Sequence, residues 1–291
     1  MMQIKHMFLL LLVALSWGSG NAAATKIVHE MPPIWAAAIR FAITGLMLLP
    51  FLRVPKAKLR HLLPIALASG PVHFALLYTA FSMTNNVGAM TVGGQLWVAF
   101  ATILSVVFLK EHLNRAQVLG LLLAFSGIFV IGVEPHILEN LDALLVMVCA
   151  AFCWGVSAFL ARRAGNIPGL TVQAWMALLC VVVLVPMSYW LESGQIASTQ
   201  GASWKLWLLM LYLVFAAGIF GNVMMFQMMQ KYQVTQTTPF LLMTPVFAQV
   251  FGFLFLGEII TTKIVLGTLI TLAGVMALTY ATARKTAQVT A

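Results

Sequence analysis

Arg40 and His73 stand deep inside long apolar runs, where a polar or charged side chain is costly enough to invite a functional question. Arg40 lies about eight residues into its run, roughly 12 Å along a helix axis at 1.5 Å per residue. That is deep for a side chain that must snorkel to water. A permanent cation there either binds a carboxylate or pairs with backbone carbonyls and locks the fold. His73 is mid-run and is the one side chain near the middle expected to titrate around neutral pH. The seven acids, Glu30, Glu111, Glu134, Glu139, Asp142, Glu192 and Glu258, all fall at or near the ends of runs. A proton crossing the middle would therefore use His73, unless that ring is simply bonded to a neighbouring helix.

Other polar groups recur at helical spacing. Gln95, Val98, Ala99 and Thr102 share a face at i, i+3, i+4 and i+7, as do Leu242, Pro245, Val246 and Gln249 further on. Gln95 and Gln249 are candidates to hydrogen-bond a bound molecule, with interhelical bonding as the competing role. Pro239 and Pro245 can interrupt their helix and free carbonyls to line a cavity. Trp17 with Asn21, and Trp154 with Ser157, put an aromatic and a polar group on one face, a wall suited to an apolar side chain or a cationic amine. Tyr78 joins these aromatics as a candidate, although it, Phe81, Met224, Met225 and Met228 also suit packing. Glu111 and Glu258 are placed to cap neighbouring helices at a gate, or to pair with Lys110, Arg115 and Lys263.

The elements that must hold these groups follow from composition. Of 291 residues 62% are hydrophobic and 8% charged, with mean hydropathy +0.99, against roughly 25% charged in soluble domains. The apolar stretches are about 20 residues long and uninterrupted, the length of a membrane helix. Turn and charge signals predict helices at 7–28, 33–52, 62–82, 88–109, 115–133, 141–162, 170–191, 204–229, 236–256 and 263–283. The net charge of +9 is scattered between runs, which argues for topology signals and against a nucleic-acid partner. Cys149, Cys153 and Cys180 lie within the runs, odd in number and without His or acid partners, so neither a disulfide framework nor a metal site is expected. The first run resembles a secretory signal, but it recurs later in the chain and is retained as a helix.

That recurrence organises the molecule. Trp17-Gly18 returns as Trp154-Gly155, Phe108-Leu109-Lys110-Glu111 returns as Phe255-Leu256-Gly257-Glu258, and Gly120 and Gly127 return as Gly267 and Gly274. Two five-helix halves are predicted, 1–134 and 135–291, the second with a longer loop between its second and third helices. An odd number of spans per half inverts the second copy. With a cytoplasmic N-terminus, twelve of the sixteen Lys and Arg fall inside, three outside, and Arg40 within a span. The basic stretch Arg53 to Arg60 corresponds to Glu192 through Ser203, which has no Lys or Arg, as expected of equivalent loops on opposite faces. Inverted repeats are a recurring plan of secondary transporters with a site at the midplane.

Trp17-Gly18 with Asn21, Met31-Pro32-Pro33, Arg40-Phe41, Lys110-Glu111 and Gly257-Glu258, in order and in two copies, resemble the EamA-domain transporters of the drug/metabolite transporter superfamily. Phe74-Ala75 and Gln95 in their contexts resemble the bacterial exporters of cysteine-pathway metabolites and other amino acids. The resemblance implies an all-α membrane protein of ten helices in two inverted EamA repeats, with both termini cytoplasmic, in the bacterial inner membrane. It further implies export of amino acids or related small metabolites by alternating access. Multidrug or other metabolite transport, or uptake in place of export, are the alternatives. The family carries an Arg in this Arg-Phe context whatever the substrate, which favours a structural or gating Arg40. The partners expected are a small molecule and the lipid bilayer, with no cofactor; either a proton joins them through His73 or transport is not proton-coupled. No zinc-hydrolase motif, paired membrane aspartates, Ser/His/Asp set or Gly-rich phosphate loop points to an enzyme.

Overall fold

The computed structural model describes residues 3–52, 56–110, 112–164, 167–222, 224–225, 228, 232, 237 and 240–290. Its elements are α1 (Ile4–Val28), α2 (Pro33–Leu48), α3 (Lys56–Leu67), α4 (His73–Ser82), α5 (Val87–Gly94), α6 (Trp97–Leu109), α7 (Arg115–Gly132), α8 (Pro135–Leu138), α9 (Leu141–Ala164), α10 (Gly169–Leu191), α11 (Gln195–Gly201), α12 (Trp204–Tyr212), α13 (Thr244–Leu256) and α14 (Thr262–Thr290). Among the described residues eight helical stretches are long and apolar enough to cross a membrane, and nine if the bent pair Gln195–Gly201 and Trp204–Phe220, turning through 104°, counts as one. Large apolar side chains face outward, with Phe129 72% and Phe255 71% exposed. In water such a surface would aggregate; in lipid it is solvated.

Four predicted spans are interrupted. The third divides into α3 and α4 around a π-helical turn, Ala68–Val72, where Gly70 (φ −97°, ψ −106°) leaves helical geometry beside Pro71. Proline has no N–H for the ladder, and the glycine absorbs the bend. The eighth contains a longer π-helical segment, Leu213–Phe220. The fourth, expected as one helix over 88–109, stops at Gly94, turns at Gln95-Leu96 and restarts at Trp97. The weak helix formers Gly93-Gly94 precede the break. In the ninth, α13 restarts at Thr244 after a turn at Leu242-Met243. Pro245 therefore begins a helix, in its first turn where the missing N–H costs nothing. Pro239, the other expected interruption, and Glu111 lie outside the described residues. The two turns are 147 residues apart, the offset that separates Phe108-Leu109 from Phe255-Leu256.

Helix ends repeat too. Both α6 and α13 stop on a left-handed residue, Lys110 (φ 55°) and Gly257 (φ 70°). Packing between the halves is reciprocal. A methyl group on Gly18 of α1 would stand 2.6 Å from Phe247 Cβ, 2.7 Å from Thr244 O and 2.9 Å from Ala248 N of α13. On Gly155 of α9 it would stand 2.9 Å from Phe100 Cβ, 3.0 Å from Trp97 O and 3.2 Å from Ala101 N of α6. These are the same atoms at equivalent positions. In α7 and α14 Gly120 lies against Gly274 and Gly127 against Gly267. The first glycine of each helix thus meets the second of the other, which requires equivalent helices to run antiparallel across a two-fold axis. Small residues let these backbones approach closely, the usual way helices associate in lipid.

The loop after α10 carries α11, folded back over the start of α2. Trp35 Nε1 donates to Thr199 Oγ1 at 2.8 Å, and the Glu192 carboxylate accepts from Ile34 N at 2.8 Å and Trp35 N at 3.0 Å. The N-terminus of α2, which starts on Pro32-Pro33, is thereby capped by an acid from the other half.

Candidate functional site

The bundle interior brings Arg40, His73, Phe74, Tyr78 and Trp154 together. His73 is the first residue of α4 after the π turn, so the bend aims its ring at α9. Its Nδ1 is 2.8 Å from Ala150 O. A carbonyl can only accept, so Nδ1 carries the proton. In the neutral ring Nε2 then keeps a lone pair, for which no protein partner is found among the described residues. The ring centroid is 4.8 Å from that of Trp154 and 4.9 Å from that of Phe74. Phe74 in turn lies 5.3 Å beneath the Arg40 guanidinium, and Arg40 Nη1 donates to the fully buried Tyr78 hydroxyl at 3.1 Å.

The other candidates divide by whether they are already bonded. Trp17 Nε1 donates to Ala217 O at 3.0 Å, Asn21 Nδ2 to Thr91 Oγ1 at 3.1 Å, and buried Ser157 donates to Ile65 O at 3.2 Å. Gln249, packed against Gly88, donates to Thr268 Oγ1 at 2.7 Å. Gln95 lies at the break between α5 and α6, half-buried, and its amide finds no protein partner among the described residues. Trp154 likewise makes no hydrogen bond there. The two glutamines thus differ, one bonded between helices and one free at a break.

At one end of the bundle, loops 82–86, 139–140 and 257–259 and His29 surround an open vestibule of about 350 Å³. Glu258 lines it yet is only 7% exposed, and its Oε1 accepts from Gly88 N, 2.8 Å away at the start of α5. Of the two roles expected for it, capping is the one observed. The Lys263 ammonium turns instead to Val133 O at 3.4 Å. Burial pushes the Glu258 carboxyl up to about 8, against a smaller downward pull from the Gly88 N–H. Gln173 was missed from sequence, although a lone amide within the apolar run 170–191 was its signal. It is 4% exposed and donates to Gly218 O at 3.2 Å, while its Oε1 is buried without a partner.

A helical bundle with an apolar exterior, interrupted helices in both halves and a polar aromatic interior defines a multi-pass membrane protein built to admit a small molecule. The model of the EamA-like transporter family matches residues 4–133 and again 141–280, and the chain belongs to that family. It is similar, at 26% identity over 94% of both chains, to proteins named probable amino-acid metabolite efflux pump in Salmonella typhimurium and Escherichia coli. It is also similar to the uncharacterized transporter YoaV of Bacillus subtilis, with 26% identity over 97% of this chain and 99% of that one. One solved crystal structure shares the fold, with a TM-score of 0.63 at 18% identity over 96% of this chain and 98% of the other.

Proposed function

We propose that this transporter moves amino acids or related small metabolites across the bacterial inner membrane by alternating access, in the direction of export. Ten spans with both termini in the cytoplasm form two inverted halves, 1–134 and 135–291, that rock around a central site. The observation that carries this is the matched pair of breaks, at Gln95-Leu96 and Leu242-Met243, beside reciprocal glycine contacts between the halves. A packing rule used twice allows the two arrangements to exchange, so the site opens to one face and then the other. His73, Tyr78, Gln95 and Trp154 line the cargo path. Trp17, Asn21, Ser157 and Gln249 shape it from bonded positions, and Pro245, Glu258 and its counterpart Glu111 act at the hinges and gates. The names of the Salmonella and Escherichia relatives support amino-acid metabolites as cargo.

Counterflow in proteoliposomes containing only this protein, with a panel of labelled amino acids and with or without a pH gradient, tests the proposal. Trans-stimulated uptake of at least one amino acid is expected. Its absence across the panel, in protein that is folded and inserted, would remove amino acids as cargo. A gradient that drives the wild type but not His73→Ala, while counterflow persists in both, assigns proton coupling to the His73 ring. Equal driving in both discards it.

A further inference from the structure

Arg40 is a cation inside the bundle with most of its hydrogen-bonding capacity unspent. A guanidinium has five N–H donors. Here Nη1 serves Tyr78, and Phe41 and Phe74 lie 5.4 and 5.3 Å from the guanidinium carbon, contacts that involve the ring faces and consume no N–H. Nε is buried without a partner. Among the described residues no carboxylate is within ion-pair distance of Arg40, and the ion pair found is Lys26–Glu30 at a helix end. What remains is the Nε–Nη2 edge, the side-on fork whose two parallel N–H groups fit both oxygens of a carboxylate.

The surroundings of that edge supply a second, opposite preference. It faces Gly218 in the π-helical segment, where a Cβ would lie 3.9 Å from Nη2. Gly218 O accepts from Gln173 Nε2, and the Gln173 Oε1 beside it is a buried acceptor with nothing to accept. An unsatisfied buried acceptor and a half-buried cation without a counter-charge are each costly in lipid-embedded protein. One ligand answers both, if it carries a carboxylate and, next to it, an ammonium. A π segment, with its looser hydrogen-bond ladder, is a common feature of functional sites and gives the wall that must part to admit it.

We propose that Arg40 and Gln173, on either side of Gly218, form the headgroup subsite for an α-amino acid, the guanidinium edge taking the carboxylate and the Gln173 carbonyl the ammonium. This rests on the carrier function proposed above and names its cargo class from the site itself. Alanine, leucine, phenylalanine and lysine are each compared with the corresponding amino-acid amide, which lacks the carboxylate, and with the des-amino acid, which lacks the ammonium. Binding to detergent-purified protein is read by thermal shift, and flux by counterflow. Wild type is expected to prefer at least one acid over its amide by tenfold or more. Arg40→Gln abolishes that ratio and Arg40→Lys, which keeps charge without the fork, reduces it. Gln173→Leu erases the preference over the des-amino acid and leaves the preference over the amide.

Equal treatment of acid and amide by wild type overturns the subsite, even should Arg40→Gln fail to fold. An unchanged ratio in folded Arg40→Gln overturns it as well, and leaves the carrier standing if counterflow is seen. Arg40-dependent binding without counterflow supports the subsite and removes the carrier. Absence of both binding and counterflow for every acid removes the subsite, whatever else the protein moves.

Discussion

Gly18 and Gly155 lie among the same atoms in two copies, whereas Gly218 and Gly70 do not. Gly218 borders the Arg40 guanidinium; Gly70, at the matching place in the other π turn, borders Met176 and Cys180. Arg40 and Met176 both stand eight residues beyond the proline that precedes their helix, Pro32 and Pro168. The second departure is alongside. Trp17 lies against Gly221, three residues beyond Gly218, and Trp154 lies against His73, three residues beyond Gly70. Where the halves hold each other their contacts are duplicated, and where they enclose space one half has a cation and an imidazole in place of a methionine and a glycine. Duplicated packing lets the halves exchange conformations, and the departures give the enclosed space a chemistry that two identical halves would lack.

The comparison breaks first at the glycines. A side chain on Gly127 would put Cβ 2.5 Å from Thr271 N and 2.6 Å from Gly267 O, both backbone atoms. Gly127→Val is therefore expected to yield no monodisperse protein by size-exclusion chromatography. Gly18→Val and Gly155→Val sharpen the point. Equal packing predicts similar losses of about 2–3 kcal/mol in thermal stability, and tolerance of one but not the other would end the equivalence.

Exchanging the departures comes next. Arg40→Met installs the other half's residue and replaces a poorly compensated cation by an apolar side chain, so stability should hold to within roughly 1 kcal/mol or rise while amino-acid counterflow falls at least tenfold. Met176→Arg does the reverse damage, a loss of about 3 kcal/mol, because its neighbours Gly70 and Cys180 present no carboxylate for the new charge. Counterflow at the wild-type rate in Arg40→Met would separate the departures from function.

The vestibule offers a pH test. The Glu258 carboxyl moves from an ordinary 4.5 to about 8 in the folded protein. Between those values the folded state keeps a proton that the unfolded chain has released, so stability is highest at low pH and falls as pH rises through the window, by a few kcal/mol in order of magnitude. Melting temperature should decline from pH 5 to pH 9 in wild type and stay nearly flat in Glu258→Gln. A matching slope in both assigns the dependence to other groups. The smallest effect separates the two tryptophans. Trp17→Phe removes the bond to Ala217 O and should cost about 1 kcal/mol more than Trp154→Phe, whose indole N–H is unbonded among the described residues.

Much of this architecture was legible in the residues because hydropathy and repetition are properties of the chain itself. Apolar runs of membrane length demand helices in any bilayer, and Trp-Gly, Lys-Glu and Gly-Glu recurring at fixed offsets announce two copies before either is folded. Its place at a helix end left two roles open for Glu258, capping a neighbouring helix or pairing with a nearby Lys or Arg, and residue spacing does not choose between them. The break at Gln95-Leu96 was harder to see, since Gly93-Gly94 weakens a helix without stating that neighbours will bend it there. Gln173 was visible as a polar group, but its importance lies in an empty carbonyl beside Gly218, which sequence spacing does not contain.

The sequence by itself determined a membrane-embedded helical protein with two related halves, because burial in lipid and backbone satisfaction act on every residue of a run alike. Only the tertiary structure decided which polar groups are spent and which are free. Gln249 bonds Thr268 while Gln95 does not bond, and Trp17 reaches a carbonyl 200 positions away while Trp154 turns to His73. A hydrogen bond needs its partner within about 3 Å, and that proximity is set by helix crossings and by the π-helical bends.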